Sequence, residues 1–278
     1  MWNWQQLESH RQRLVTGMLI GVPLVIALAV GPYWMLCILV GLVSGTGLWE
    51  VQRMLFHQSL SRQWQVLFIS AGLLLPVGAS LGGFAGLHCA LVACLLTALL
   101  WLLAFSPLDP SGLARLAHFS LGWLYIPYLL SYVLVIGRLA EGSLWILFIV
   151  CVNSADDIAA LYCGQQWGRR KLYAVVSPKK TVEGALGGLS ASLIIGMIYG
   201  MSFLKGVSAR EILLLSIMVA VLGQVGDLIE SMIKRMSGTK DSGRLLPGHG
   251  GILDRLDSLL FVIPAIFFYL AWKNSRLF

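Results

Sequence analysis

Stretches of about 20 apolar residues recur along the whole of this chain and limit its fold more than any other feature. A helix of about 20 residues spans the hydrocarbon core of a bilayer. Only 12% of the residues are charged, whereas a soluble domain carries about 25%. The sequence therefore predicts an all-α fold, a polytopic integral membrane helical bundle of about nine transmembrane helices. The predicted spans are residues 13–31, 33–52, 65–82, 86–106, 113–136, 142–163, 184–204, 211–232 and 255–273.

The distribution of basic residues predicts how the bundle lies in the membrane. The N-terminal tail and the loops after the second, fourth, sixth and eighth spans contain fifteen of the 20 Lys and Arg residues. Because cytoplasmic loops carry the excess of Lys and Arg, we expect these loops in the cytoplasm and the protein in the inner (cytoplasmic) membrane. The basic C-terminal tail fits this orientation poorly. The net charge of +7 then indicates contact with anionic lipid or nucleotide, and no nucleic-acid partner is expected.

Polar side chains collect in two of these loops, residues 153–184 and 226–257. Both loops begin inside the end of an apolar span, so Asp156, Asp227 and Glu230 lie within predicted helices. Ionisable groups at such places are costly, and they normally face a partner, an ion or a watery cavity. We therefore expect a polar cavity facing the cytoplasm where the two loops meet.

The carboxylates of the second loop have a spacing that suits a metal site. Asp227 and Glu230 are three residues apart, as are Asp254 and Asp257, so each pair lies on one helix face. Two helices could thus aim carboxylates at a common point. Carboxylates with open positions suit Mg²⁺, which keeps waters and takes phosphate oxygens as its remaining ligands. We predict Asp227 and Asp254 as Mg²⁺ ligands, and a second cation could lie nearby.

Basic residues and glycines surround these acids. They are Lys234, Arg235, Lys240, Arg244 and Arg255, with Gly248, Gly250 and Gly251 on the two sides of His249. Cationic donors bind phosphate, and glycine lets the backbone approach a ligand closely. Carboxylates that hold a metal beside cationic phosphate donors are typical of phosphoryl or nucleotidyl transfer.

Plainer interpretations stay open for each residue alone. Asp254 and Asp257 could simply favour a helix N-terminus, where the dipole stabilises negative charge. Lys234 could form only a helical ion pair with Glu230, and His249 could be an ordinary loop histidine. Their occurrence together in loops on one side is what favours a site.

Two other features carry less weight. Glu50 is isolated within the second span, and we assign it no role. GxxxG sequences at residues 41–45 and 184–188 are weak indications of close helix packing.

Residues 231–257, SMIKRMSGTKDSGRLLPGHGGILDRLD, resemble the signature of the phosphatidate cytidylyltransferase (CDP-diacylglycerol synthase) family. Every fixed position of that pattern is filled. Residues 177–184, SPKKTVEG, are similar to a second block of the family, which usually ends Thr-Trp-Glu-Gly. The length and the many spans also agree.

The chain departs from the family at two places. The family often has Asp-Thr-Gly-Ala-Tyr at the end of the sixth span, where this chain has DIAAL, residues 157–161, after an additional Asp156. Val182 replaces the usual Trp. These differences concern contacts of the first loop with cytidine or lipid, and they leave the residues expected to bind metal and phosphate unchanged.

The resemblance implies a nucleotidyltransferase of phospholipid biosynthesis that converts CTP and phosphatidate to CDP-diacylglycerol and pyrophosphate, with Mg²⁺ as cofactor. The phosphatidate phosphate would attack the α-phosphorus of CTP, so catalysis requires positioning and charge neutralisation and no protein nucleophile. The expected catalytic residues are Asp227, Lys234, Asp254, Arg255 and Asp257. The expected substrate-binding residues are Ser177, Lys179, Lys180, Thr181, Arg235, Lys240, Asp241, His249, Gly250 and Gly251.

On this interpretation residues 1–140 serve as scaffold and lipid access, and residues 141–278 form the site. A homodimer agrees with the family resemblance and with the small-residue stripes. One alternative is a CTP-dependent polyprenol or phytol kinase, which would release CDP. Another is a membrane transporter, which would place its charges near the middle of the membrane in two related halves. The charges of this chain lie at one face, which favours the transferase.

Overall fold

The computed structural model describes residues 26, 28, 30–56, 60–105, 110–240, 242–243 and 250–274, which are helical apart from one short β-hairpin and the connecting turns. Six of the described helical stretches are long and apolar enough to cross a membrane, and a further apolar helix is shorter. The predicted all-α polytopic bundle is therefore confirmed. The first predicted span, residues 13–31, lies almost wholly outside the described residues, so the number of nine spans stays a prediction.

Most helices begin and end within a few residues of the predicted spans. In chain order the elements are α1 (Tyr33–Leu55), α2 (Arg62–Phe105), α3 (Pro110–Trp123), a π-helical turn (Leu124–Tyr128), α4 (Leu129–Gly137), α5 (Gly142–Trp167), β1 (Lys171–Tyr173), β2 (Ser177–Thr181), α6 (Val182–Phe203), α7 (Ala209–Met236), α8 (Leu253–Leu256) and α9 (Leu259–Lys273). The last predicted span is shorter than expected, because α9 begins only at Leu259. Residues 237–258, which include the single turn α8, precede it, and we call them the signature loop.

Helix α2 is two spans joined by a sharp break at Gly83. Gly83 has φ 59° and ψ −137°, a conformation that glycine adopts without the steric cost of a Cβ. The two halves fold back on each other, since Gly78 and Gly86 lie so close that a Cβ on either would overlap the carbonyl of the other. Arg138 donates hydrogen bonds to the carbonyls of Ser80 (2.7 Å) and Leu81 (3.0 Å) at the end of the first half. The break lies between the third and fourth predicted spans, residues 65–82 and 86–106, as expected.

The stretch from α3 to α4 lies at the centre of the bundle. In the span Ser111–Gly137, 72% of the most apolar stretch of 18 residues is buried, the largest share among the described spans. The π-helical turn in its middle contains Pro127, which has no N–H for a regular helical hydrogen bond. The indole of Trp123 donates to the carbonyl of Phe68 at 2.8 Å and fixes this span against α2.

Helices α5, α6 and α7 pack closely because α6 presents small residues to both neighbours. Its buried residues recur every four positions and are Gly184, Gly188, Ser192, Gly196 and Gly200. A Cβ on Gly188 would lie 2.7 Å from Oδ1 of Asp156 on α5, and one on Gly200 would lie 2.6 Å from Ile212 on α7. The indication from residues 184–188 is therefore correct. For residues 41–45, a Cβ on Gly45 would lie 3.7 Å from Leu73 on α2, whereas one on Gly41 would meet no described residue within 4 Å, so that indication stays a prediction.

A β-hairpin stands where the sequence predicted only a polar loop. Strands β1 and β2 are antiparallel, with Lys171 opposite Thr181 and Tyr173 opposite Ser177. The hydroxyl of Thr181 accepts a hydrogen bond from the N–H of Gly184 at 3.1 Å and so caps the start of α6. The hairpin packs against α7 and carries its lysines toward the polar end of that helix.

Candidate active site

Three carboxylates from two parts of the chain meet at the end of α7. One oxygen each of Asp227, Glu230 and Asp257 lies within 4.8 Å of the others; we call these residues the acidic group. Asp227 and Glu230 are three residues apart on α7, so the helix presents both on one face. Asp257 follows α8 directly. The signature loop therefore closes back onto the helix that precedes it.

The acidic group is electrostatically crowded. Burial, together with the negative charges of Asp227 and Glu230, raises the pKa of Asp257 to about 8. Glu230 is completely buried. Carboxylates held this close repel one another unless a proton or a cation lies between them. Their oxygens are the hard ligands that Mg²⁺ prefers, so the donor set fits a divalent cation.

Two lysines pair directly with the acidic group. Lys180, from β2, pairs with Asp227. Lys234, one turn after Glu230 on α7, pairs with Glu230 and also with Oδ1 of Asp254 at 2.7 Å. The structure thus brings Lys180 and Lys234, two of the residues predicted to bind phosphate, next to the acidic group.

Asp254 has different surroundings from those we expected of a metal ligand. Its Oδ2 accepts hydrogen bonds from the hydroxyl of Ser242 (2.9 Å) and the N–H of Gly251 (2.8 Å). Burial acts to raise the pKa of Asp254, but the hydrogen bonds from Lys234, Gly251 and Ser242 outweigh it and hold that pKa below its usual value. The partner that the structure gives Asp227 is Asp257, and the role of Asp254 as a metal ligand stays a prediction.

A cavity of about 580 Å³ opens beside the acidic group. Its polar lining residues are Asp156, Asp157, Gln165, Lys171, Lys179, Lys180, Thr181, Gln224 and Asp227. Since Asp227 belongs to both, the acidic group forms part of the cavity wall. The first polar loop supplies most of the cavity lining, and Asp227 is the residue of the second polar loop that lines it.

Asp156 and Asp157 differ within this cavity. Asp156 is buried and accepts hydrogen bonds from Nε2 of Gln224 (3.0 Å) and the hydroxyl of Ser192 (3.4 Å). Asp157 is exposed and accepts one from Nδ2 of Asn153 at 3.2 Å. Asp156, the additional acid, thus ties α5 to α6 and α7, whereas Asp157 faces the open space.

The other predicted site residues lie around this centre. Lys179 lines the cavity, and Ser177 starts the strand that leads to it. Arg235 is exposed and donates from Nε to the carbonyl of Val176 at 3.4 Å, which ties α7 to the hairpin. Lys240 and Arg255 are exposed at the two ends of the signature loop.

At two of the predicted substrate-binding positions, Gly250 and Gly251, a side chain larger than that of glycine would overlap a neighbouring carboxylate. Gly250 has φ 80°, and a Cβ there would lie 2.7 Å from Oδ2 of Asp254. A Cβ on Gly251 would lie 2.6 Å from Oε2 of Glu50. These glycines let the loop wrap around carboxylates of the protein itself. Asp241 and His249 lie outside the described residues.

Glu50 belongs to the site, and the sequence analysis missed it. Its carboxylate is completely buried and accepts hydrogen bonds from the N–H groups of Ile252 (3.0 Å) and Leu253 (2.9 Å) and from the hydroxyl of Ser242 (3.3 Å). A carboxylate inside a predicted span was itself a signal of function. Its partners could not be predicted, because they lie about 200 residues further along the chain.

Tyr125 is a second residue that the sequence analysis missed. It belongs to the π-helical turn, is 6% exposed, and its hydroxyl has no hydrogen-bond partner among the described residues. It lies close enough to Glu230, Asp257 and Asp227 to interact with their charges. π-Helical turns are frequent at functional sites, but nothing in the local sequence marks this one.

Comparison with known proteins shows the family of this chain. The sequence pattern of the cytidylyltransferase family matches residues 11–272. A phosphatidate cytidylyltransferase of Bacillus subtilis is 34% identical over 274 residues, which are 95% of this chain and 99% of that protein. One from Staphylococcus saprophyticus is 41% identical over 154 residues, 55% of this chain and 56% of that protein. An uncharacterized protein of Escherichia coli, YnbB, is 38% identical over 170 residues, 59% of this chain and 57% of that protein. The chain belongs to the cytidylyltransferase family.

Proposed function

We propose that the protein is a membrane-embedded phosphatidate cytidylyltransferase, which converts CTP and phosphatidate to CDP-diacylglycerol and pyrophosphate. The match to the Bacillus subtilis enzyme along nearly the full length of both chains supports this activity. The observation that carries the proposal is the acidic group, which pairs with Lys180 and Lys234 and whose Asp227 lines the 580 Å³ cavity.

The acidic group is the place at which we propose that the enzyme binds its metal. Asp227, Glu230 and Asp257 would hold Mg²⁺, and Asp254 could hold a second cation once Lys234 moved away. A bound divalent cation neutralises the charge of phosphate oxygens and of the departing pyrophosphate. The approach of three carboxylates, one oxygen of each within 4.8 Å of the others, supports this assignment.

The residues of the chain would act by binding and orientation. A phosphate oxygen of phosphatidate forms a bond to the α-phosphorus of CTP, and the bond from that phosphorus to the bridging oxygen breaks to release pyrophosphate. Lys180 and Lys234 would leave their carboxylates to pair with phosphate oxygens. Lys179, Arg235, Lys240 and Arg255 would extend this cationic surface. Ser177, Thr181, Asp241 and His249 remain candidates for contacts with the nucleotide.

We propose that the site faces the cytoplasm from a bacterial inner membrane. The excess of Lys and Arg in the loops that form the site supports this orientation. The arrangement lets a lipid reach the cavity from the bilayer while CTP enters from water. Residues 1–140 then do more than support the bundle, since Glu50 and Tyr125 reach the site from that part. The homodimer stays a prediction.

The decisive experiment follows the label from CTP. Purified protein, phosphatidate, Mg²⁺ and CTP labelled in the cytidine should yield a lipid-soluble labelled product and pyrophosphate. Release of labelled CDP with a phosphorylated lipid alcohol would indicate a kinase instead. Ion flux in proteoliposomes without CTP would indicate a transporter. Folded protein that gives no labelled lipid would contradict the proposal.

A further inference from the structure

We propose that Glu50 is a positioning residue that holds the signature loop and thereby sets the geometry of the acidic group. This inference rests on the proposed function for its effect on activity, but the contacts that carry it are independent of that function. Glu50 comes from α1, in the part of the chain that precedes both polar loops.

The contacts of Glu50 lie at the base of the loop. Oε1 accepts from the N–H of Ile252 and Oε2 from the N–H of Leu253, the two residues directly before Asp254. These two N–H groups and the hydroxyl of Ser242 all bind a carboxylate whose side chain is 0% exposed. Loss of the acceptor of a buried backbone N–H destabilises the folded conformation. The conformation of the loop therefore depends on this carboxylate.

The loop is shaped around the carboxylate. Gly243 and Gly251 lie on its two sides, and a Cβ on Gly251 would be 2.6 Å from Oε2 and 2.8 Å from Oε1 of Glu50. A Cβ on Gly243 would also overlap the carboxylate. Gly243 and Gly251, eight residues apart in the signature, thus both contact the side chain of Glu50, which comes from the distant helix α1.

A continuous set of contacts leads from Glu50 to the acidic group. The hydroxyl of Ser242 lies 3.3 Å from Oε2 of Glu50 and 2.9 Å from Oδ2 of Asp254. Asp254 binds Lys234 at 2.7 Å, and Lys234 pairs with Glu230 of the acidic group. Movement of the loop would therefore change both the position of Asp257 and the partner of Glu230.

The test compares three variants with the wild type in metal-free, detergent-purified protein. Glu50→Gln keeps the shape but places an amide N–H₂ against donors. Glu50→Asp keeps the charge on a shorter side chain. Ser44→Ala is the matched control, because Ser44 is also completely buried on α1 but has no hydrogen-bond partner among the described residues.

The first readout is amide hydrogen exchange in peptides that cover residues 250–257. Loss of the acceptor should speed exchange at Ile252 and Leu253 by about tenfold in Glu50→Gln. The increase should be smaller in Glu50→Asp and absent in Ser44→Ala. Unchanged exchange in Glu50→Gln would overturn the proposal.

The second readout is binding of Mn²⁺, followed by electron paramagnetic resonance. Glu50→Gln should weaken Mn²⁺ binding by about tenfold, and Glu50→Asp should lie between it and the wild type. The Mg²⁺ concentration for half-maximal activity should rise in the same order. Faster exchange with unchanged Mn²⁺ binding would overturn the link to the acidic group.

One further variant covers the case in which Glu50→Gln does not fold. Ser242→Ala keeps the backbone contacts of Glu50 but removes the link to Asp254, so it should weaken Mn²⁺ binding while exchange at Ile252 stays slow. Strong Mn²⁺ binding in this variant would contradict the inference. A wild type that lacks transferase activity would refute the proposed function, whereas the exchange result would still decide the role of Glu50.

Discussion

Two sets of carboxylates lie side by side at the end of α7, and they differ in what satisfies them. Glu50 and Asp254 each accept hydrogen bonds from backbone N–H groups and from Ser242. We call them the donor-held carboxylates. The carboxylates of the acidic group instead lie close to one another, with Lys180 and Lys234 as ion-pair partners.

The difference separates carboxylates that build the loop from carboxylates that are available to a ligand. Donors that are fixed in the backbone stabilise the ionised form without any further partner. Carboxylates that crowd one another are stabilised by an added positive charge. Sequence spacing alone assigned Asp254 and Asp227 to the same role, and the surroundings of the two side chains distinguish them.

The largest expected effect is that of Asp227→Asn. Loss of one oxygen charge from the acidic group should lower turnover at least about a hundredfold and abolish Mn²⁺ binding. Labelled-CTP assays and electron paramagnetic resonance measure the two effects. Glu211→Gln is a control on the same helix, because Glu211 lies at the opposite end of α7 and pairs with Lys273. Near-normal turnover in Asp227→Asn would remove the acidic group from the mechanism.

Asp254→Asn tests the comparison most directly. The variant loses the ion pair with Lys234, so we expect activity to fall by about tenfold and the protein to unfold at a lower temperature. Mn²⁺ binding should weaken but persist. If Asp254→Asn abolished Mn²⁺ binding as completely as Asp227→Asn, Asp254 would be a metal ligand, and the distinction between the two sets would be broken.

The pH dependence of stability provides a third test. The pKa of Asp257 is about 8 in the folded chain and about 3.9 in an unfolded one. The folded state therefore prefers the protonated carboxyl, and this stabilisation is complete below about pH 4 and is lost as the pH rises through about 8. The melting temperature of metal-free protein should fall across this range.

Two changes should flatten that dependence. Asp257→Asn removes the titrating group, and saturating Mg²⁺ stabilises the ionised form. Measurement of melting curves at several pH values, with Mg²⁺ or with a chelator, checks both. An equally steep fall in Asp257→Asn would show that another group titrates.

The smallest expected effect extends the comparison to Asp156, a carboxylate that side-chain donors on α6 and α7 hold in place. Gly188→Ala places a Cβ 2.7 Å from Oδ1 of Asp156, so it should destabilise the bundle by about 1–3 kcal/mol through overpacking. Gly41→Ala is its control, because a Cβ there would meet no atom within 4 Å in the part of the chain that the structure describes. Thermal unfolding in detergent separates the two. Equal melting temperatures would mean that α5 and α6 can move apart at no cost.

The helices of this protein are readily predicted because their signals are local. Apolar length marks each span, and the Gly82-Gly83 pair marks the break in α2. Clustered charge marks both polar loops. Asp227 and Glu230 share a helix face, so their meeting follows from spacing alone.

The contacts between distant segments could not be obtained in this way. Whether Asp254 or Asp257 turns toward Asp227 depends on a loop whose shape is fixed by Glu50, about 200 residues earlier in the chain. The antiparallel pairing that brings Lys180 to Asp227 depends on a short hairpin whose second strand, Ser177–Thr181, is polar apart from Pro178 and so gives no strand signal in the sequence. Tyr125 lies near the acidic group only because the central span, to which it belongs, packs beside that group.

The break at Gly83 decides on which face of the membrane each later segment emerges. An unbroken helix of 44 residues would be about 66 Å long, far more than the bilayer core of about 30 Å. As a hairpin, α2 makes an even number of crossings and returns the chain to the face from which it started. With one crossing fewer, the end of α7 would emerge on the face opposite Glu50, and the hydrogen bonds from Glu50 to Ile252 and Leu253 could not form. The backbone conformation of one glycine thus determines the parity of the topology that the contacts of Glu50 require.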